Sequence, residues 1–281
     1  MHKNGKWARQ IVALQDDEGK WGNFHSMSQF SAAPITTEQA LRRLERLGFG
    51  IEDECIQKAV AYMDDCLAGK KCIPDHREKI HDWDVFTALI LSTWIRRFTR
   101  DNARANEVAG KWAQVVTQTF SGGVYDQERY SESYRDVIRP SGGRLVGFLN
   151  FYPISITAGL LDKKTCCAAT DFILQSACGI YYIYDRKLAE LPADFCSRDA
   201  SRYLAAIELL AEHTFARHKL GFVLNWLESC RNGRGRWDMG KSACDKIYFP
   251  LSDDWRTCVR READCTERIS KLISAISSPD R

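Results

Sequence analysis

The chain has 281 residues, and 44% of them are hydrophobic, which is enough apolar material for a large core. Forty lysine and arginine residues balance 37 aspartate and glutamate residues, so the charge gives no reason to expect nucleic acid or an anionic membrane as a partner. The longest apolar stretch, VFTALILSTWI at 85–95, is too short and too polar to cross a bilayer and predicts a buried helix.

Cysteine usage bears on the compartment and on metal binding. The eleven cysteines show no C-x-x-C pair and no Cys/His cluster at zinc-ligand spacing. The adjacent Cys166 and Cys167 lie in a predicted helix, where cysteine behaves as a small hydrophobe. The first fifteen residues also lack the apolar core and cleavage site of a secretory signal. We therefore expect a cytoplasmic protein with no metal and no cofactor.

Five glycines follow helix-period segments at near-regular intervals of 50, 54, 56 and 56 residues: Gly19, Gly69, Gly123, Gly179 and Gly235. The preceding segments are 7–15, 56–67, 105–120, 166–178 and 216–230. The second helix of the repeat is predicted at 36–47, 82–98, 197–213 and 253–273 in the first, second, fourth and fifth repeats. In the third repeat it is less regular and covers 131–138 and 154–161. Each repeat is thus a predicted helical hairpin. We call its glycine turn, with the adjoining end of the helix, a joint.

Capping residues and prolines support these boundaries. Thr36 or Thr37, Ser197 and Ser252 stand where N-caps are expected. Six of the seven prolines, at 34, 74, 140, 153, 192 and 250, fall between the predicted helices. The only short alternating stretch is GIYYIYD at 179–185. The sequence predicts an all-α fold, and we expect one domain over residues 1–281, a single (α/α) toroid of about five to six hairpins.

The first joint, WARQIVALQDDEGKW, resembles the Gln-Trp repeat of the terpene cyclase and protein prenyltransferase superfamily, whose members are α/α toroids. The fifth joint, WLESCRNGRGRWD at 226–238, resembles it without the glutamine. The resemblance implies that Gln15 ties the helix end to its neighbour and that Trp21 stacks on the joint. Gly19 is expected to permit the reversal of the chain.

The stretch HDWDVFTAL at 81–89 is similar to the Asp-x-Asp-Asp-Thr-Ala motif with which class II terpene cyclases protonate an alkene or epoxide. That resemblance implies Asp84 as the general acid, with His81 or Asp82 as its partner. Such chemistry needs a carboxylic acid kept protonated in a dry aromatic pocket. The alternative is structural: Asp82 caps the helix, and Asp84 lies in its first turn.

Aromatic, basic and acidic side chains concentrate in the joints and next to this motif, where they are candidates for lining a cavity. The predicted substrate-binding residues are Trp83, Tyr125, Tyr134, Arg135, Tyr152, Tyr181, Trp237, Asp238, Asp245, Tyr248, Trp255 and Arg256. The segment 235–256 is loosely similar to the zinc-site region of prenyltransferase β subunits, but no histidine follows Tyr248. No D-D-x-x-D run for magnesium occurs either.

Three functions remain open at this stage. The first is an enzyme of the terpene cyclase or prenyltransferase type that acts on an isoprenoid or other apolar substrate, with Asp84 as the general acid. The second is a non-catalytic ring that binds a lipid, peptide or protein. The third is a carbohydrate-active toroid using Asp238, Asp245, Asp253 and Asp254 as carboxylates, with Trp237 and Trp255 as sugar platforms.

Overall fold

The computed structural model describes residues 2–25 and 34–278 and contains helices throughout. The α-helices are α1 Lys6–Val12, α2 Thr37–Arg46, α3 Glu54–Leu67, α4 Trp83–Phe98, α5 Ala103–Thr119, α6 Gln127–Ser133, α7 Phe151–Ile156, α8 Lys163–Gln175, α9 Arg198–Ala211, α10 Gly221–Ser229 and α11 Cys258–Ser277. A π-helical turn at Tyr134–Ile138 follows α6, and 3-10 helices cover Thr214–Leu220 and Lys241–Ala243. These described ranges hold no strand, only isolated bridges, which confirms the all-α prediction. Across them, no helix combines the length and apolarity that spanning a membrane requires.

The helix starts test the predicted caps. Thr36 forms a full capping box with Gln39, and the Ser197 hydroxyl accepts a hydrogen bond from the Ala200 N–H at 3.0 Å, so both predictions are confirmed. The prediction for Ser252 is wrong. Helix α11 begins at Cys258 with Thr257 as its N-cap, and the Ser252 hydroxyl instead donates to Asp264 at 2.8 Å.

One proline also departs from prediction. Pro153 lies inside α7 rather than between helices. It occupies the first turn, where a backbone N–H has no intrahelical acceptor and its loss costs little.

The chain divides into two compact units, which are described separately. Unit 1 is Met1–Lys111 with Ile138–Val146, and unit 2 is Trp112–Val137 with Gly147–Arg281. In unit 1, α1 packs on α2 and α3 packs on α4, and the buried core includes Trp21, Leu41, Leu44, Ile56 and Trp94. In unit 2, the 3-10 helix Thr214–Leu220 contacts α8, α9, α10 and α11.

All five joint glycines have positive φ angles, between +59° and +96°, as turns of this kind require. At Gly19 a β-carbon would lie 2.5 Å from the Lys58 carbonyl oxygen, so a side chain is excluded there by space as well as by conformation. Gln15 donates to the carbonyls of Gly19 at 2.9 Å and Cys55 at 2.8 Å. The predicted link from the first joint to a neighbouring helix, α3, is therefore present.

The first and fifth joints share one hydrogen-bond pattern. Asp16 Oδ1 accepts from the amides two and four residues later, and Asn232 Oδ1 does the same. Trp21 and Trp237 are both buried, and each donates its indole N–H to a carbonyl ten residues earlier. In place of Gln15, the fifth joint has Arg231, whose guanidinium lies 4.5 Å from the centroid of the Trp237 ring.

Candidate functional site

The start of α4 in unit 1 is fixed by the carboxylate of Asp82. Its Oδ1 accepts from the N–H groups of Asp84 and Val85, at 3.1 Å each, which makes it the N-cap. Its Oδ2 accepts from both the N–H and the hydroxyl of Ser141, at 2.6 Å each. Burial opposes the charge of Asp82, but these hydrogen bonds outweigh it and hold its pKa below the ordinary value. Asp82 is thus an engaged, ionised cap, as the structural alternative predicts.

The segment around Ser141 also packs against the backbone that precedes α4. Arg144 N donates to the Ile80 carbonyl at 2.7 Å. Gly143 has φ +78°, and a β-carbon on it would lie 2.6 Å from Asp82 N and from the carbonyl carbon of His81. The backbone is therefore fixed at the residue before His81 and at the residue after it.

The imidazole of His81 pairs with Glu78. Nδ1 lies 2.6 Å from Glu78 Oε1, and the ring stacks on Phe86 with a centroid distance of 5.3 Å and an interplanar angle of 16°. Within the described part of the chain, Nε2 of His81 has no hydrogen-bond partner, and the side chain is 22% exposed. A carboxylate on Nδ1 favours the tautomer that leaves the lone pair on Nε2. We call His81 and Glu78 the His81 pair.

A second pair lies against the same phenyl ring. His25 Nδ1 is 2.8 Å from Glu38 Oε2, and Glu38 Oε1 accepts from Arg42 at 2.9 Å. The His25 ring meets Phe86 edge-on at a centroid distance of 5.4 Å. Its backbone is fixed because the N–H groups of Phe24 and His25 both donate to the Asp75 carboxylate. We call His25 and Glu38 the His25 pair.

Electrostatics separate the two pairs. Burial opposes protonation of His25, but the hydrogen bond with Glu38 and the charges of Glu38, Asp75 and Glu78 outweigh it, so the pKa of His25 is raised above the ordinary value. The Glu38 side chain is 9% exposed, whereas that of Glu78 is 29% exposed. Unit 1 therefore combines an imidazole that favours its cation with another that presents a ring nitrogen to its surroundings.

Sequence reasoning named only part of this arrangement. It singled out His81 as a partner for Asp84, but it missed Glu78 and the His25 pair. His25 and Glu38 lie 13 residues apart in the chain, and no helical or strand period connects them in the sequence. The proximity of Glu78 to His81 was the one available signal.

Asp84, the predicted general acid, has an exposed side chain in the first turn of α4. A negative charge there is favoured by the helix dipole. The dry aromatic surroundings that keep a carboxylic acid protonated are not found at an exposed position. Trp83, the first residue of α4, is half-buried beside it.

The other predicted substrate-binding residues all belong to unit 2, and five of the eleven are packed in its interior. Tyr134, Tyr152, Trp237, Tyr248 and Trp255 are buried. Tyr125 stacks on Phe172 with centroids 4.1 Å apart, while Tyr181, Arg135 and Arg256 are exposed. The buried aromatic rings serve as core residues at these positions.

The acidic residues of segment 235–256 are used locally. Asp238 accepts two hydrogen bonds from the Arg261 guanidinium, one of them at 2.6 Å. Asp245 Oδ1 accepts from the N–H groups of Ile247 and Tyr248, which shapes its loop. The Trp255 indole donates to the buried Asp264 at 2.7 Å. These contacts stabilise the connection between α10 and α11.

A small cavity lies inside unit 2, with a volume of about 10 Å³ and with Phe148, Leu161, Cys166 and His213 among its lining residues. The hydroxyls of Thr157 and Thr170 that border it donate to helix carbonyls. The space suits at most one water molecule. None of the predicted substrate-binding residues lines it.

Within residues 2–25 and 34–278, no group of three or more His, Cys, Asp or Glu side chains is arranged to hold a metal ion. Comparison of the chain with family models, curated proteins and solved structures found no match. The candidate site therefore rests on the geometry around Phe86.

Proposed function

We propose that unit 1 carries a general acid–base site in which His81 exchanges a proton with a partly apolar substrate. The observation that supports this is the 2.6 Å contact between Glu78 and His81 Nδ1, with Nε2 left without a hydrogen-bond partner in the described chain. An imidazole is well matched to proton transfer near neutral pH, and Glu78 is its positioning residue. Phe86 supplies apolar surface next to it.

The substrate class in this proposal is the one predicted from the sequence, an isoprenoid or other apolar molecule. An imidazolium is too weak an acid to protonate an isolated alkene. The reaction is therefore a transfer of a more acidic proton, from water, a hydroxyl group or a C–H bond beside a carbonyl. We include the α/α toroid arrangement in the proposal. It is supported by the hydrogen-bond pattern that the first and fifth joints share, as repeated units would.

A direct test measures turnover in the full chain. Farnesyl diphosphate, geranylgeranyl diphosphate and the isoprenoid aldehyde citral are incubated with wild type, His81→Gln and Glu78→Gln, and products are identified by mass spectrometry. We expect His81→Gln to lower turnover by about 100-fold or more. The exposed His218 provides the matched control, His218→Gln. A folded His81→Gln variant with wild-type turnover contradicts the proposal.

Glu78→Gln tests the positioning role through turnover. We expect kcat to fall with little change in KM, because the His81 ring keeps its proton-transfer nitrogen but loses the carboxylate that orients it. A folded Glu78→Gln variant with wild-type kcat contradicts the positioning role of Glu78. Wild type that alters none of the three compounds counts against the isoprenoid class.

A non-catalytic binding protein is the second candidate. It is favoured by the placement of Asp82 and Asp84, because the two carboxylates that the family resemblance assigns to catalysis act as a cap and a first-turn charge. Native mass spectrometry separates the two candidates: a co-purified apolar ligand that leaves unchanged supports binding alone. Arginine pairing of Asp238 and Asp254 does not favour the carbohydrate alternative.

A further inference from the structure

We propose that His81 is a phosphorylation site, whose Nε2 accepts a phosphoryl group that the exposed guanidinium of Arg144 then binds. This role goes beyond the proposed function, because it needs neither an apolar substrate nor proton transfer to one. The donor is a small phosphoramidate or acyl phosphate, since only a donor with a reactive bond to phosphorus can form the equally reactive N–P bond on an imidazole.

Nε2 of His81 has the properties of a nucleophilic nitrogen. Glu78 Oε1 lies 2.6 Å from Nδ1, so the proton of the neutral ring is held on Nδ1 and the lone pair is left on Nε2. The side chain is 22% exposed, and among the described residues Nε2 is not one of the polar atoms that are both buried and unpaired. Nε2 therefore reaches solvent, from which a small donor can approach it.

Arg144 lies beside His81 in the folded chain. The two residues form an isolated parallel bridge, in which Arg144 N donates to the Ile80 carbonyl at 2.7 Å. Backbones paired in this way lie about 4.8 Å apart, so the long Arg144 side chain can reach a group attached to the His81 ring. That side chain is exposed, and within residues 2–25 and 34–278 its guanidinium has no ionic partner. Guanidinium groups bind phosphate oxygens through paired N–H donors.

Two other histidines show what this combination adds. His213 is buried, and its Nε2 lies 2.9 Å from the Ile154 carbonyl, so that nitrogen is closed to a donor. His218 is exposed, but in the part of the chain that the structure describes it pairs with no carboxylate. His218 thus serves as an internal reference for the reactivity of an accessible imidazole.

The transfer balances with phosphoramidate as the donor. The lone pair of Nε2 forms a bond to phosphorus, the P–N bond of the donor breaks, and ammonia leaves with the electron pair. The imidazole then carries a positive charge, which Glu78 balances at Nδ1–H until that proton passes to water. The phosphoryl group brings negative charge next to the ring, and Arg144 compensates it.

The test incubates the full chain with potassium phosphoramidate at neutral pH. Mass spectrometry under conditions that preserve the N–P bond follows each histidine with time. We expect His81 to be phosphorylated about tenfold faster than His218, because the charges of Glu78 and Arg144 each contribute about two- to fivefold. Phosphorus NMR distinguishes the two ring nitrogens and should place the group on Nε2. In His81→Gln this product is absent, while His218 still reacts and shows that the donor is active.

Substitutions at Arg144 separate recognition from mere accessibility. Arg144→Gln is expected to lower the rate at His81 by about two- to fivefold, whereas Arg144→Lys keeps the positive charge and restores part of the rate. The matched control is Arg202→Gln, because Arg202 is an exposed arginine on α9 with no ionic partner among the described residues. The rate at His218 should be the same in all three variants, and circular dichroism confirms that each is folded.

The outcomes separate this role from the proposed function. Phosphorylation of His81 no faster than that of His218, or on Nδ1, overturns the phosphorylation site. A folded Arg144→Gln variant that reacts at His81 as fast as wild type overturns the role of Arg144. If His81→Gln loses isoprenoid turnover but wild type shows no selective phosphorylation, the proposed function stands and the phosphorylation site is wrong. Selective phosphorylation without turnover of any isoprenoid compound gives the reverse result.

Discussion

The indole nitrogen of Trp237 donates to the Leu227 carbonyl over 2.6 Å, and Trp21 bonds to the Ile11 carbonyl in the same way over 2.7 Å. Both acceptors lie in the last turn of a helix, and each also accepts a backbone N–H, from Leu14 to Ile11 and from Cys230 to Leu227, at 3.1 Å each. A buried tryptophan thus fills the joint and gives a helix-end carbonyl a second donor. This double role explains why the aromatic follows the glycine at a fixed distance in both joints.

Replacing Trp21 with phenylalanine removes the indole N–H and part of the ring. We expect the free energy of unfolding to fall by about 1–3 kcal/mol, from the lost hydrogen bond to the Ile11 carbonyl and the space left behind. Urea unfolding measures this change. Trp226→Phe is the control because Trp226 is half-buried and, within the described residues, its side chain makes ring contacts and no hydrogen bond. An equal loss in both variants would show that the hydrogen bond contributes nothing.

The joint glycines offer a matched comparison. Gly19 and Gly69 both have positive φ, but a β-carbon at Gly19 would meet the Lys58 carbonyl, whereas the space beside Gly69 is open. We expect Gly69→Ala to cost about 1–2 kcal/mol from backbone conformation alone, and Gly19→Ala to cost more. Thermal or urea unfolding of the two variants checks the order. A smaller cost at Gly19 would mean that the α3 backbone at Lys58 moves away from the added β-carbon at little cost in free energy.

Features set by neighbouring residues were predictable from the sequence. The glycine turns, the Thr36 capping box and the position of Asp82 before α4 each depend on a few residues of local chain. Ser252 shows where local reasoning fails: it has the right residue type for a cap, but its hydroxyl bonds to Asp264 and the helix begins later.

The candidate site depends on distant contacts that no local period encodes. Ser141 holds Asp82 from 59 residues away, and Asp75 binds the backbone of His25 from 50 residues away. Only the folded chain brings the His25 pair and the His81 pair to Phe86. The family resemblance drew attention to the start of α4, where Asp82 is the N-cap of the helix.

Ser92 in α4 is fully buried, and its hydroxyl has no hydrogen-bond partner among the residues that the structure describes. Ser92→Ala removes a desolvated polar group, so we expect stability to rise by about 1 kcal/mol. The next residue gives the control, because the Thr93 hydroxyl donates to the Leu89 carbonyl at 2.8 Å and Thr93→Val removes a satisfied group of similar shape. A large loss of stability in Ser92→Ala would reveal a partner for that hydroxyl.

Asp82 and Asp84 differ in what their carboxylates do. Asp82→Ala leaves two α4 amides and Ser141 without their acceptor, and we expect a loss of about 1–2 kcal/mol or more. Asp82→Asn keeps one acceptor oxygen and should lose less. Asp84→Asn removes only a favourable first-turn charge, for about 0.3–1 kcal/mol. Urea titrations give the order, and a larger loss at Asp84 than at Asp82 would contradict the assignment of the cap.

The His25 pair makes stability depend on pH. Because the folded-state pKa of His25 is raised above its ordinary value of 6.5, the ion pair with Glu38 stabilises the fold fully below about pH 6.5, and this contribution is lost as the pH rises through the raised value. We expect the difference in unfolding free energy between wild type and His25→Gln to be larger at pH 6 than at pH 9. Urea titrations at the two pH values measure it, with His218→Gln as the control. A difference that stays constant between them would mean that the pKa of His25 is the same in the folded and unfolded states, because only a pKa that changes on folding makes stability depend on pH.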